Sequence, residues 1–143
     1  MFWKNKKITE FSSDEWESLC DGCGKCCLVK LEDPDTFEVA YTACACSLLD
    51  IEKVKCKQYS SRFLVVPECL KITPENIESL EYLPSTCAYK LVSKGEDLPE
   101  WHHLVSGDSQ LVHSLGKSVM DWCVPVENVP EDDWVDMIVE IED

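Results

Sequence analysis

The stretch that decides how this chain is read is Cys20-Asp21-Gly22-Cys23-Gly24-Lys25-Cys26-Cys27. A Cys-x2-Cys step lets two thiolates converge on one metal ion across a tight turn. Two such steps in tandem bring the sulfurs of Cys20, Cys23 and Cys26 together, and Gly22 and Gly24 let the backbone between them turn with φ > 0. Neighbouring side chains on extended backbone point to opposite sides. The adjacent pair Cys26-Cys27 therefore suits two metal centres side by side, or one polynuclear cluster, better than a single tetrahedral site. Lys25, inside the loop, is placed to offset thiolate charge.

The chain carries ten cysteines, so six lie outside this stretch: Cys44, Cys46, Cys56, Cys69, Cys87 and Cys123. Cys56 stands between Lys55 and Lys57, a basic patch in an acidic chain, and nearby lysines lower a thiol pKa. Cys69 follows Pro67-Glu68 and Cys87 follows Pro84-Ser85-Thr86, loop contexts that present a side chain. The N-terminus, Met1-Phe2-Trp3-Lys4-Asn5-Lys6-Lys7, is followed by no apolar run of signal-peptide length, and no stretch approaches the ~20 apolar residues of a membrane span. A cytoplasmic location is therefore expected. There thiols stay reduced, and clustered cysteines point to metal rather than to disulfides.

With 28 acidic residues against 13 basic ones and a net charge of −15, the chain repels phosphate backbones and anionic membranes. Nucleic acid and membrane are thus excluded as partners. A metal ion remains as the expected partner, and a protein partner stays unspecified, with Trp3 or Trp134 as contact points if exposed.

The expected fold is α+β, with residues 1–143 forming a single cysteine-cluster metal-binding domain: short helices around a small antiparallel sheet, the cysteine loops tied by metal. Ser12 with Glu15 three residues on forms the capping-box pattern, opening a helix that turns Trp16, Leu19 and Cys20 inward and stops near Asp21-Gly22. Leu28 to Leu31 and the alternating Phe37, Val39 and Tyr41 predict a hairpin across Glu32-Asp33-Pro34-Asp35. A short strand is expected over Arg62 to Val66. Thr73-Pro74-Glu75 starts a helix carrying Ile77 and Leu80 inward, which ends before Pro84. Asp108 caps another helix, stopped by Gly116; Val119 to Val126 reads as extended; and Pro130 starts a last helix. The loop Ser93 to Pro99 separates the cysteine-rich part from a part with one cysteine.

At this point the run CDGCGKCC, with spaced single cysteines after it, resembles the CxxCxxCC family of zinc- or iron-chelating proteins, and in particular its YcgN-like bacterial branch. Collinear segments extend the resemblance over nearly the whole chain: Asp14 to Leu19, Leu48 to Asp50, Leu70 to Asn76, Leu83 to Tyr89, Leu104 to Asp108 and Val129 to Asp133. Carried over residue by residue, it implies Cys20, Cys23, Cys26, Cys27, Cys46, Cys56, Cys69 and Cys87 as metal ligands. Related chains tend to have a cysteine where this one has Val54, while Cys44 and Cys123 fall outside the pattern: Cys44 is expected either to substitute spatially for the lost thiol or, like Cys123, to be a buried thiol.

Sulfur donors suit zinc and iron–sulfur chemistry alike. The Cys-x2-Cys-x2-Cys run also opens the ferredoxin pattern, but no Cys-Pro dipeptide and no second triplet follow, so zinc is preferred over iron or an iron–sulfur cluster. Three functions are carried forward: a structural or chelating metal-binding protein without a defined reaction, an iron–sulfur protein with a redox or enzymatic role, and a thiol-redox sensor. His102, His103 and His113 are expected to hydrogen-bond structurally, and His102 is the best of the three as a ligand. No P-loop, dinucleotide fingerprint or nucleophile elbow is present.

Overall fold

The computed structural model describes residues 2–57 and 72–140. They fall into two contact-dense units, one built from residues 2–22 and 72–115, the other from residues 23–57 and 116–140. Among the described residues every α-helix lies in the first unit and every strand in the second, so the α+β expectation holds. The loop Ser93 to Pro99 lies inside the first unit.

The first unit contains α1 (Phe2–Asn5), α2 (Ser13–Ser18), α3 (Ala88–Ser93), α4 (His103–Ser106) and α5 (Leu111–Ser114). The capping box forms as expected: Glu15 N donates to Ser12 Oγ at 3.1 Å, and Ser12 N donates to Glu15 Oε1 at 2.9 Å. Lys6 pairs with the same carboxylate at 2.9 Å. Hydrogen bonding to the Ser12 backbone and then to Lys6 holds the Glu15 pKa below its ordinary value. Trp16 and Leu19 are buried, whereas Cys20, expected on the same inward face, is exposed because α2 ends at Ser18 and the chain leaves the helical path. Trp16 packs on Tyr89 of α3 with ring centroids 4.8 Å apart, and its Nε1 donates to Ile72 O at 2.9 Å.

The signal at Thr73 produces less helix than expected. Thr73 and Asn76 cap each other reciprocally, at 2.8 and 3.2 Å, yet only a 3-10 turn, Ile77–Ser79, follows. Ser79 Oγ bonds back to Asn76 O at 2.7 Å, and a nucleus this short, with Pro84 ahead, has no length in which to propagate. Asp108 likewise forms a turn, accepting from Gln110 N at 2.9 Å, while Gln110 occupies the cap of α5.

The second unit is built on β1 (Leu28–Glu32), β2 (Val39–Ala45), β3 (Leu49–Asp50), β4 (Lys55–Cys56), β5 (Val124–Pro125) and β6 (Ile138–Val139). β2 is central, antiparallel to β1 and β6 and parallel to β5, so the sheet is mixed rather than purely antiparallel. The β1–β2 hairpin turns on Asp33, whose Oδ1 accepts from Asp35 N and Thr36 N at 2.8 and 3.1 Å. Phe37 belongs to this turn, not to the strand: its φ is +62° and it is 72% exposed.

The register breaks between Leu28 and Lys30. The fully buried Thr42 fills the break, its Oγ1 donating to Val29 O at 2.7 Å and accepting from Cys44 N at 3.2 Å. β3 and β4 form a second hairpin over Asp50, which accepts from Glu52 N and Lys53 N at 3.0 and 3.2 Å.

Two expectations in the C-terminal part are corrected. Val119 to Val126 is extended only at Val124–Pro125, because Ser118 gathers the preceding residues into a turn, accepting from Met120 N at 3.2 Å and Trp122 Nε1 at 2.9 Å. The segment after Pro130 is a 3-10 run, Glu131–Met137, and not an α-helix throughout; Ile138 and Val139 are drawn into the β2 ladder opposite Thr42 and Tyr41. The strand expected over Arg62 to Val66 lies outside the described residues. Among those described, no helix is long and apolar enough to cross a membrane.

Candidate metal centre

The sheet delivers cysteines to one neighbourhood of the second unit. After Gly24, at φ +77°, the 3-10 turn Lys25–Cys27 leads into β1. Cys27 N donates to Gly24 O at 3.0 Å, and Cys27 O accepts from Cys46 N at 2.7 Å, which joins the motif to the residue just past β2. The turn after Cys46 is closed by Leu49 N on Cys46 O at 2.8 Å, and Leu49 pairs with Cys56 across the second hairpin. Cys23 is tied in separately, its carbonyl accepting from Val119 N at 2.9 Å.

Cys27 is the hub. Its thiol pKa is pushed well above the ordinary range by a hydrogen bond shared with Cys26, then by burial, then by the charges that Cys26, Cys46 and Cys56 acquire on ionisation. Three thiols thus act on Cys27: Cys26, which is exposed, and Cys46 and Cys56, which like Cys27 are half-buried. Cys27 therefore resists ionisation, and sulfur donors of this kind suit zinc or iron. They are near neighbours without being a finished coordination sphere, since among the described residues no three Cys, His, Asp or Glu side chains stand in metal-binding geometry.

The other sequence-derived ligands are placed as follows. Cys20 and Cys87 belong to the first unit, Cys20 exposed and Cys87 half-buried at the N-cap of α3. Cys69 lies outside the described residues. The nine cysteines that are described are all thiols. Cys44 lies buried in the core of β2, and Cys123 is 9% exposed, its pKa raised by burial.

Lys25 is buried at 8% exposure, while Lys55 and Lys57 are exposed. An ammonium that touches the motif, that of Lys30, was missed by sequence reasoning. Its Nζ donates to Cys26 O at 2.8 Å and Leu28 O at 3.0 Å. A lysine at an unremarkable strand position carries no signal of its own, and only the register break beside it turns it back toward Cys26.

His102 is structural. Fully buried, it places Nε2 2.7 Å from Leu19 O and accepts from Leu104 N on Nδ1 at 3.0 Å, so both ring nitrogens are used. The acceptor role of Nδ1 assigns the proton to Nε2, and burial holds the pKa below its usual value.

Residues 19–88 match the CxxCxxCC family model, described as "Putative zinc- or iron-chelating domain". The similarity to whole proteins is broader. A UPF0260 protein of Pseudomonas putida is 51% identical over 138 residues, covering 96% of this chain and 92% of that protein. One from Sinorhizobium medicae is 50% identical, with 96% and 89% covered, and one from Pseudomonas aeruginosa 48%, with 96% and 93% covered. The chain belongs to the UPF0260 family. No solved structure matches it.

Proposed function

We propose that this protein binds a thiophilic metal ion, zinc in preference to iron, through cysteine thiolates in a reducing cytoplasm, and serves as a structural or chelating module. The observation that carries the reading is the backbone grouping of Cys26, Cys46 and Cys56 about Cys27, through Cys46 N on Cys27 O at 2.7 Å and the pairing of Leu49 with Cys56. The thiolates of these residues would hold the cation, which would supply the compensating positive charge; metal affinity and local folding would then be one quantity. The proposed ligands are Cys20, Cys23, Cys26, Cys27, Cys46, Cys56, Cys69 and Cys87. Cys27 and the three thiols grouped about it are supported by the backbone links as well as by the family pattern; the others rest on spacing and on the family pattern.

The test is anaerobic purification followed by metal and acid-labile sulfide analysis. Eight thiolates at four per zinc give about two zinc ions per chain in a colourless protein. A brown protein containing sulfide replaces this reading with an iron–sulfur one. A protein that folds only when oxidised and takes up neither metal refutes both.

A further inference from the structure

Lys30 stands on β1 opposite Tyr41, with its Nζ 5.3 Å from the centroid of that buried ring. Its Nζ donates to the carbonyls of Cys26 and Leu28, which bracket Cys27 in the chain. The carbonyl between them, that of Cys27, is held by Cys46 N at 2.7 Å. Three consecutive peptide planes are therefore pinned, two of them by one ammonium group. The pinned segment carries both adjacent thiols of the motif and lies beside the register break between Leu28 and Lys30. A neutral donor would satisfy those carbonyls as well. The ammonium adds to these two bonds a fixed positive charge on the backbone of the motif itself.

We propose that Lys30 is a positioning residue for metal binding: it holds the backbone on either side of Cys27 and sets one positive charge beside the thiolate-rich centre. The inference rests on the metal-binding reading above. Groups one shell out from a metal typically contribute a factor of about 10–100 in affinity, and that is the scale expected here.

Zn2+ affinity is measured on the full chain by competition with a chromophoric chelator, and the thiolate-to-metal charge-transfer band is recorded with Co2+. The metal-free urea midpoint is measured in parallel. Lys30→Met is expected to weaken Zn2+ binding by about 10–100-fold and to alter the Co2+ band, with little change in the metal-free midpoint. Lys30→Arg, which keeps charge and donors, is expected to restore both readouts.

Equal affinity in wild type and Lys30→Met overturns the proposal. So does equal weakening by Met and Arg, or a loss of affinity that follows the metal-free stability, since each makes Lys30 a prop for the strand. Should Lys30→Met fail to fold, Lys30→Gln, which keeps a donor without the charge, takes its place under the same criterion. A wild-type protein that takes up no Zn2+ or Co2+ overturns the metal reading itself, and this inference with it.

Discussion

Gly22 and Gly24 offer a controlled comparison inside the cysteine loop. Their φ angles are nearly identical, +78° and +77°, but a Cβ on Gly22 meets nothing within 4 Å, whereas one on Gly24 falls 2.5 Å from Val54 Cγ1 and 2.9 Å from Val119 Cγ2. Both valines are buried, at 4% and 0% exposure, and β-branched side chains have little rotamer freedom with which to yield. Gly22→Ala incurs the left-handed backbone penalty alone, about 1–2 kcal/mol. Gly24→Ala incurs that penalty plus overpacking of about 1–3 kcal/mol. The excess is read as the difference between the two urea midpoints, followed by tryptophan fluorescence in the metal-free protein. Val54→Ala removes the nearer methyl and is expected to recover part of the excess in the Gly24→Ala background. Equal losses at the two glycines would refute the packing argument and reduce Gly24 to a conformational role.

Replacing His102 by Leu strands the buried Leu19 carbonyl and is expected to cost about 1–3 kcal/mol, measured by urea denaturation. Burial, then the neighbouring His103, depress the His102 pKa against the opposing pull of Leu19 O and Asp21. The unfolded chain therefore binds the proton more readily, and the stability that neutral His102 confers is complete above its ordinary pKa of 6.5. It is lost as pH falls below that value towards the depressed one, so the wild-type advantage over His102→Leu should shrink between pH 7.5 and more acidic conditions; a constant advantage contradicts the assignment. Ser12→Ala removes the Oγ that accepts from Glu15 N and should lower stability by about 1 kcal/mol, read from the urea midpoint. Cys44→Ala is expected to leave metal content unchanged, by elemental analysis, while Cys27→Ser reduces it. In the metal-free protein at neutral pH, Cys27 should be among the slowest thiols to react with iodoacetamide, as mapped by mass spectrometry.

Local signals were legible where a few neighbouring residues decide the outcome. Ser12 with Glu15 specifies a helix start, and Asp33 with its following amides specifies the hairpin turn, because each closes its bonds within a few residues. The failures came where a distant partner chose the conformation. Phe37 alternates correctly with Val39 and Tyr41, yet the Asp33 turn claims it at φ +62°. Ile138 and Val139 sit at helical spacing from Trp134, but β2 offers them a ladder, and β-branched residues take it readily. The parallel pairing of Cys44 with Val124 leaves no trace in local periodicity.

For the site, spacing brought the motif cysteines into view but not the order among them. Cys46 and Cys56 reach Cys27 through backbone links, Cys46 N to Cys27 O and the Leu49–Cys56 pairing, which no residue count reveals. That arrangement also bears on the choice among functions. A redox-sensing cysteine works as a thiolate and needs a lowered pKa in an electropositive setting. Cys27 has the opposite: Cys26, burial and two further thiols all favour its protonated form. Cys27 therefore lacks the setting a thiol sensor needs. On the metal-binding reading proposed above, a bound cation would supply the positive charge that its neighbours withhold.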